Sequence, residues 1–186
     1  MNIAEKPKAQ ASQRVADFER FRLRHFVEAL PAEELETREA PTDLADVSAA
    51  FEGNAKAVRF RAVGPERQEL VGNVCGSRSR LALAFGVKPE ALRAEVQRRL
   101  RGTPDIFEVP RAHAPVQQVV LTGTDVDVTA LPVHLLHGAD GAPYISASTD
   151  FVIDPKTGWT NVGMRRLMLR SPTETGVDLV SPSDLK

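Results

Sequence analysis

The feature that most constrains the fold is residues 148–172, where two strand-like runs flank the turn sequence Asp-Pro-Lys-Thr-Gly at 154–158. Proline early in a turn supplies a fixed φ, and glycine late in the turn accepts a positive φ. Runs of apolar and β-branched residues on both sides of such a turn are typical of paired strands. The sequence therefore predicts a β-hairpin at this point of the chain.

The second strand of this hairpin carries polar groups between apolar flanks. Asn161 and Arg166 are five residues apart, which is about 16 Å along an extended strand. Strand side chains alternate, so the two project from opposite faces unless a bulge, for which Gly163 is the natural site, resets the alternation. They cannot hold one small ion together, but they could bracket a long ligand with an anionic end. A solvated edge strand is the alternative interpretation.

Composition sets bounds on the class of protein. The chain has 186 residues, which suits one domain or slightly more, and its net charge of −1 argues against a nucleic-acid partner. It has no apolar run of the length that a membrane span needs, and no apolar segment follows Met1, so we expect a cytoplasmic protein without a membrane partner. Its lone cysteine, Cys75, excludes an internal disulfide and a multi-cysteine metal site.

The first part of the chain alternates helical and strand-like patterns. Residues 1–16 are polar without an apolar period, which predicts a disordered tail. A helical apolar period then runs to Leu30 and ends at Pro31, and a second short helix is predicted at 42–51. Strands are predicted at Ala57–Val63 and 69–74, joined by a turn at Gly64-Pro65.

Two further helices are predicted, at 77–85 and 88–100. Ser77 is a suitable N-cap for the first, and Leu92, Val96 and Leu100 form an inward stripe on the second. Arg78 and Arg80 flank the helix start, where they could help to hold an anion. The alternative is that both arginines are simply solvated.

The segment after residue 102 reads as a crossing between two parts of the fold, followed by strands at 116–121 and 126–128. His134 and His137 then have the spacing of a metal pair. Turn residues bracket them, however, and a zinc site normally takes about three protein ligands, so solvated loop histidines are the alternative.

Three segments in order carry a family resemblance: residues 73–87, 114–146 and the strand Thr-Asn-Val-Gly-Met-Arg-Arg at 160–166. They resemble the UbiD family of decarboxylases, which use prenylated FMN, and the similarity covers about residues 18–186. The resemblance implies an α+β fold. It comprises a helix-and-sheet lobe at 17–112 and, at 113–186, the incomplete beginning of a split β-barrel flavin-binding domain.

The resemblance also implies roles for site residues. Asn161 matches an asparagine that binds Mn²⁺ (with K⁺ as a further candidate ion), which in turn holds the flavin phosphate; an amide carbonyl is a suitable hard donor. Met164, Arg165 and Arg166 match positions that line the flavin. Arg166 also matches the catalytic arginine that orients the substrate carboxylate. Asp184 falls at or near a further metal-ligand position, in a stretch that aligns loosely.

Members of the family continue well beyond the point that residue 186 matches. We therefore expect the N-terminal portion, or a split subunit, of a decarboxylase or carboxylase for an aromatic or α,β-unsaturated acid, not active as this chain alone. A non-catalytic module that binds a flavin or a partner is the alternative. A last strand at 177–180 would leave an open sheet edge, which predicts a protein partner or self-association there.

Overall fold

A computed structural model describes residues 17–103 and 109–178, so the predicted tail at 1–16 and Asp184 lie outside the described residues. The fold is α+β, with short helices and two three-stranded sheets, which confirms the predicted class. No helix in the described part of the chain is long and apolar enough to cross a membrane. The chain divides into two compact units, one ending at Leu30 and resuming at Leu81–Val120, the other formed by Pro31–Arg80 and the chain from Leu121. The domain boundary expected at 112/113 stays a prediction.

Three α-helices are formed among the described residues. Helix α1 spans Leu23–Glu28 and ends before Pro31, as its apolar period predicts, and Val27 is buried. Helix α2 spans Arg78–Phe85 and is capped by Ser77, whose hydroxyl accepts a hydrogen bond from the Arg80 amide at 3.1 Å. Helix α3 spans Leu92–Leu100. Its first leucine is buried, but Leu100 is 80% exposed, so the prediction that Leu100 faces inward is wrong.

The first sheet has the order β1-β2-β3, with β1 at Leu35–Arg38, β2 at Ala57–Val63 and β3 at Gln68–Gly72. Strand β2 has the predicted bounds and pairs antiparallel with β3 and parallel with β1. The turn after β2 uses Gly64 at φ +65°, as predicted. Strand β1 was not predicted, because it is four residues long and reads Leu-Glu-Thr-Arg without a clear period.

The helix predicted at 42–51 is wrong. Two 3-10 turns occupy this stretch, at Leu44–Asp46 and Ser48–Ala50. The stretch starts extended, because Thr42 forms a β-bridge with Val63, and the Asp43 carboxylate then accepts a hydrogen bond from the Ala45 amide. The short turns still bury their apolar side chains against the first sheet, in a core cluster of Val47, Ala50, Val58, Phe60 and Val63.

The strands predicted at 116–121 and 126–128 are also wrong. The chain forms 3-10 turns at Pro115–Gln117, Gly123–Asp125 and Val128–Ala130. Val116 and Val119 are more than three-quarters exposed. A β-branched run forms a strand only when a neighbouring strand offers its backbone, and none does so in the described part of the chain.

The second sheet contains the predicted hairpin. Strands β4 (Tyr144–Ile153), β5 (Thr160–Ser171) and β6 (Glu174–Gly176) pair antiparallel in that order. In the turn, Gly158 adopts φ +73°, and the Asp154 carboxylate accepts hydrogen bonds from the Lys156 amide and the Thr157 hydroxyl. The strand after β5 is β6, and it ends before the strand predicted at 177–180. Residues 177 and 178 are not in a strand, and residues 179 and 180 lie outside the described residues.

Candidate functional site

Strand β5 alternates between its faces from Thr160 through Leu167. Asn161, Gly163 and Arg165 are half-buried, whereas the intervening Met164 and Arg166 are exposed. The register with β4 is continuous from Thr160 through Arg165. A bulge at Gly163 is therefore absent, and Asn161 and Arg166 project from opposite faces, as the spacing alone predicts.

The irregularity lies in the partner strand. Ile145 pairs with Leu167 and Ser148 pairs with Arg165, so β4 uses one more residue than β5 over this interval. Ser146 and Ala147 together therefore oppose Arg166, which is the arrangement of a β-bulge. Bulges commonly re-aim a side chain beside a binding site.

A groove of about 590 Å³ opens on the exposed face of the hairpin at Arg166. The Arg166 guanidinium carbon lies 6.0 Å from the centre of the Tyr144 ring, within the range of a cation–π contact. Most of the large side chains that line the groove are aromatic, thioether or cationic. The lining residues are Tyr144, Ser146, Met164, Arg165, Arg166, Met168, Arg170, Gly176, Val177 and Asp178.

The groove has unpaired positive charge. Among the described residues, Arg166 and Arg170 have no carboxylate partner within ion-pair distance, although Asp178 lies in the groove wall. The Arg170 side chain crosses Gly176, where a Cβ would collide with it. Two guanidinium groups without a carboxylate partner among the described residues, beside a flat ring and two thioethers, suit a planar ligand that carries an anionic group.

Arg165 is held on the other face. Its Nε lies 3.5 Å from Asp150 Oδ2, and neither atom has a hydrogen-bond partner or contact with solvent. The Ser148 hydroxyl donates to the other Asp150 oxygen at 2.6 Å. Gly163 stands opposite Asp150 in the ladder, and a Cβ there would lie 3.2 Å from Arg165 Nη2, so the missing side chain gives the guanidinium its path.

Asn161 lies in a separate depression of about 360 Å³ near the hairpin turn, with Val152, Asp154, Thr157 and Trp159. A hydrogen bond from the Thr157 hydroxyl, with further bonds from backbone amides, lowers the pKa of Asp154 below its usual value, so an anionic oxygen is present there. The structure does not bring Asn161 into the groove of Arg166. An amide oxygen suits a hard cation, but Asp184, its expected companion, is not among the described residues.

Neither of the other candidate sites in the sequence is assembled. Within residues 17–103 and 109–178, no three His, Cys, Asp or Glu side chains come together as metal ligands, and burial lowers the pKa of His134. Arg80 is not solvated at the start of α2. Its side chain is fully buried and donates to Glu34 Oε2 and to the backbone carbonyls of Ala55, Asn73 and Val74.

Sequence reasoning missed Tyr144, Asp150 and Arg170. Arg170 could have been found, because Met164, Arg166, Met168 and Arg170 follow the two-residue period of one strand face. Tyr144 and Asp150 could not, because the bulge between them changes the side of β4 on which each residue stands.

Two family models identify the class of protein to which the chain belongs. Residues 33–100 match the family model of the 3-octaprenyl-4-hydroxybenzoate carboxy-lyase N-terminal domain, and residues 107–186 match that of the carboxy-lyase Rift-related domain. Together the two matches cover most of the chain, and the chain belongs to the UbiD family.

Similar proteins include decarboxylases. The chain is 36% identical over 96 residues to a pyrrole-2-carboxylic acid decarboxylase of Pseudomonas aeruginosa, an alignment covering 49% of this chain and 19% of that protein. Sedimentibacter hydroxybenzoicus vanillic acid decarboxylase in its closed form superposes with a TM-score of 0.76 at 26% identity, covering 84% of this chain and 37% of that one.

A third similarity shows the fold alone. An evolved dimeric form of the UbiD-class enzyme HmfF from Pelotomaculum thermopropionicum, solved in complex with prFMN, superposes with a TM-score of 0.79 at 23% identity. It covers 87% of this chain and 39% of that one. The chain thus spans well under half the length of the relatives that it matches.

Proposed function

We propose that the hairpin groove is one wall of a prenylated-FMN and carboxylate site in a UbiD-type decarboxylase or carboxylase. The substrate class is an aromatic or α,β-unsaturated carboxylic acid. Family membership supports the reaction class. The observation that carries the assignment to this groove is Arg166, which is exposed, unpaired by any described carboxylate and set against the Tyr144 ring.

Arg166 is proposed to contact the substrate carboxylate. A guanidinium presents two parallel N–H donors that match the two oxygens of a carboxylate. The residues of β4 opposite Arg166 are the two small bulge residues, Ser146 and Ala147, and the Arg166 side chain is exposed. Arg170 adds a second cation, which favours an anionic ligand over a neutral one.

The groove residues suit a flavin in part. Met164, Met168 and Tyr144 offer thioether and ring surfaces for a flat heterocycle, and the backbone of Arg165 and Arg166 runs along the groove. Prenylated FMN, when bound, supplies the electron sink for the loss of CO₂. The residues of this chain bind and orient, and in this proposal none of them moves a proton.

A metal role for Asn161, with Asp184 as a second ligand, rests on the family resemblance. The proposed ion is Mn²⁺, with K⁺ as the alternative cation. Asn161 does not share the groove of Arg166, so we derive no catalytic step through the ion. Its depression holds an anionic carboxylate, Asp154, and an amide oxygen, both of which are donors that a hard cation accepts.

The remaining parts of the site are proposed to come from sequence beyond this chain's matched region, in the same polypeptide or in a partner subunit. The hairpin supports this proposal because four large apolar side chains on its exposed face have no cover: Phe151, Ile153, Val162 and Met164 are 72, 68, 52 and 75% exposed. Such a patch is typical of an interface. The same patch also supports the second candidate, a non-catalytic module that binds a flavin or a protein partner.

Co-expression in the cytoplasm with a prenylated-FMN-forming system and with the adjacent coding sequences separates the two candidates. An enzyme predicts a coloured, Mn²⁺-containing complex that releases CO₂ from an aromatic or unsaturated acid, and Arg166→Ala removes CO₂ release. A non-catalytic module predicts a complex that forms without CO₂ release. Purification of a colourless chain with no partner would contradict both.

A further inference from the structure

The most informative unexplained feature is the pair of buried, unsatisfied atoms at Asp150 and Arg165. A charged pair in partial burial is a poor source of stability, and its best-attested use is to specify one register over another. Asp150 stands three residues from Ala147 of the β4 bulge, and Arg165 directly precedes Arg166, which the bulge opposes.

A second register is available to β4. In this register the bulge would lie nearer the hairpin turn instead of at Ser146–Ala147. Every β4 side chain between the observed and the alternative bulge would then point to the opposite face of the sheet. Asp150, the sole acid of β4, would then point to the exposed face, opposite Val162. Phe151 would turn to the half-buried face.

Burial of apolar surface alone favours that second register, because Phe151 is 72% exposed in the observed one. What opposes it is the attraction between Asp150 and Arg165, together with the hydrogen bond from Ser148 to Asp150. Gly163 also favours the observed register, because its missing Cβ lets the Arg165 guanidinium reach the Asp150 carboxylate.

We propose that the Asp150–Arg165 pair pins the β4 bulge opposite Arg166 and so sets which β4 side chains share the exposed face of the hairpin with the cationic groove. Asp150 is a positioning residue, which acts through the register of the hairpin. The consequence for the groove rests on the proposed function, but the register is a property of the hairpin and can be measured without any cofactor.

Engineered cysteines read the register directly. Cys75 is exposed and is first replaced by serine, so that it cannot compete for oxidation. In the observed register Phe151 pairs with Val162, so the double variant Phe151→Cys/Val162→Cys places two thiols at disulfide distance. In the shifted register Phe151 would pair with Asn161, so Phe151→Cys/Asn161→Cys reports the alternative.

With Asp150 in place, we expect the first pair to cross-link at least about tenfold more than the second, because the second pair projects from opposite faces. Asp150→Asn should lower this ratio at least about fivefold. Asp125→Asn, which removes the same charge from an exposed turn, should leave it unchanged. An unchanged ratio in folded Asp150→Asn overturns the proposal, whether or not the groove binds a flavin.

Charge reversal keeps the proposal testable if Asp150→Asn does not fold. Asp150→Arg alone places like charges together and should favour the shifted pair. Adding Arg165→Asp restores the attraction and should return the ratio to within about threefold of its starting value. A folded double variant that still cross-links at the shifted pair would show that the two side chains do not set the register.

Discussion

Asn161 and Arg166 leave the same strand from opposite faces, Asn161 into a depression beside the hairpin turn and Arg166 into a groove against Tyr144. The finding divides the expected cofactor site into two places. The cationic groove can be assigned to an anionic planar ligand from its own residues, whereas the ion-binding role of Asn161 depends on the family resemblance. The two roles are therefore tested separately.

The role of Asn161 predicts a metal effect that depends on phosphate. If its amide helps to hold an ion on the flavin phosphate, Mn²⁺ should tighten FMN binding by about tenfold and should not affect riboflavin, which lacks the phosphate. Asn161→Ala should abolish the Mn²⁺ effect. Fluorescence titrations of both flavins, with Mn²⁺ or with a chelator, measure it. A Mn²⁺ effect that survives in Asn161→Ala would remove Asn161 from the ion site.

The buried guanidinium of Arg80 predicts a large loss of stability. Arg80→Met removes the donor that serves Glu34 and three backbone carbonyls, and it should lower the free energy of unfolding by roughly 3 kcal/mol or more. Arg93→Ala, at an exposed position of α3, should change it by less than about 0.5 kcal/mol. Urea unfolding measures both, and similar midpoints for the two variants would refute the structural role of Arg80.

The same network predicts a dependence of stability on pH. Hydrogen bonds from Ser79 and then Arg80 hold the pKa of Glu34 below its usual value of 4.5. A carboxylate whose pKa is lower in the folded state stabilises the fold above its unfolded pKa and loses this effect as the pH falls through the folded pKa. The stability difference between wild type and Glu34→Gln should therefore be full at pH 7 and shrink below about pH 4.5. A difference that stays constant to pH 3 would contradict this.

A close backbone approach predicts the effect of a single methyl group at Gly76. A Cβ there would overlap Asn73 Oδ1, and Asn73 cannot easily yield, because its φ is +55° and its amide donates to the carbonyls of Asn54 and Lys56. Gly76→Ala should cost about 1–3 kcal/mol. The control is Gly138→Ala, since no atom lies near its added Cβ. Thermal unfolding compares the two, and equal melting temperatures would show that Asn73 moves freely.

The elements that sequence predicted well have local causes. The hairpin follows from the chemistry of the Asp154–Gly158 turn, and β2 from its alternating apolar residues before Gly64. The failures depend on distant partners. The 116–121 run has strand-forming residues, but no strand lies beside it within residues 17–103 and 109–178. Strand β1 exists because β2 accepts a parallel neighbour.

Two features of the site were out of reach for the same reason. In sequence Arg80 resembles any solvated helix arginine. Its burial is made tolerable by Glu34, 46 residues away in sequence, and by three backbone carbonyls. Gly163 is the natural site for a bulge in the sequence, because glycine is the usual signal, but the bulge of the hairpin lies in β4, at two residues that are not glycine. Consequently Asp150, rather than an exposed residue of β4, faces Arg165.

The central claim is that Arg166 makes the hairpin groove an anion-recognising wall of a flavin site, and the affinity for a carboxylic acid tests it most directly. In the co-expressed complex, fluorescence titration should show that wild type binds an aromatic or unsaturated carboxylic acid and that Arg166→Ala binds it at least about tenfold more weakly, the loss expected for one charge-assisted contact. Arg93→Ala should match wild type. No binding of the acid by the wild-type complex, or equal affinity in wild type and Arg166→Ala, would contradict the account.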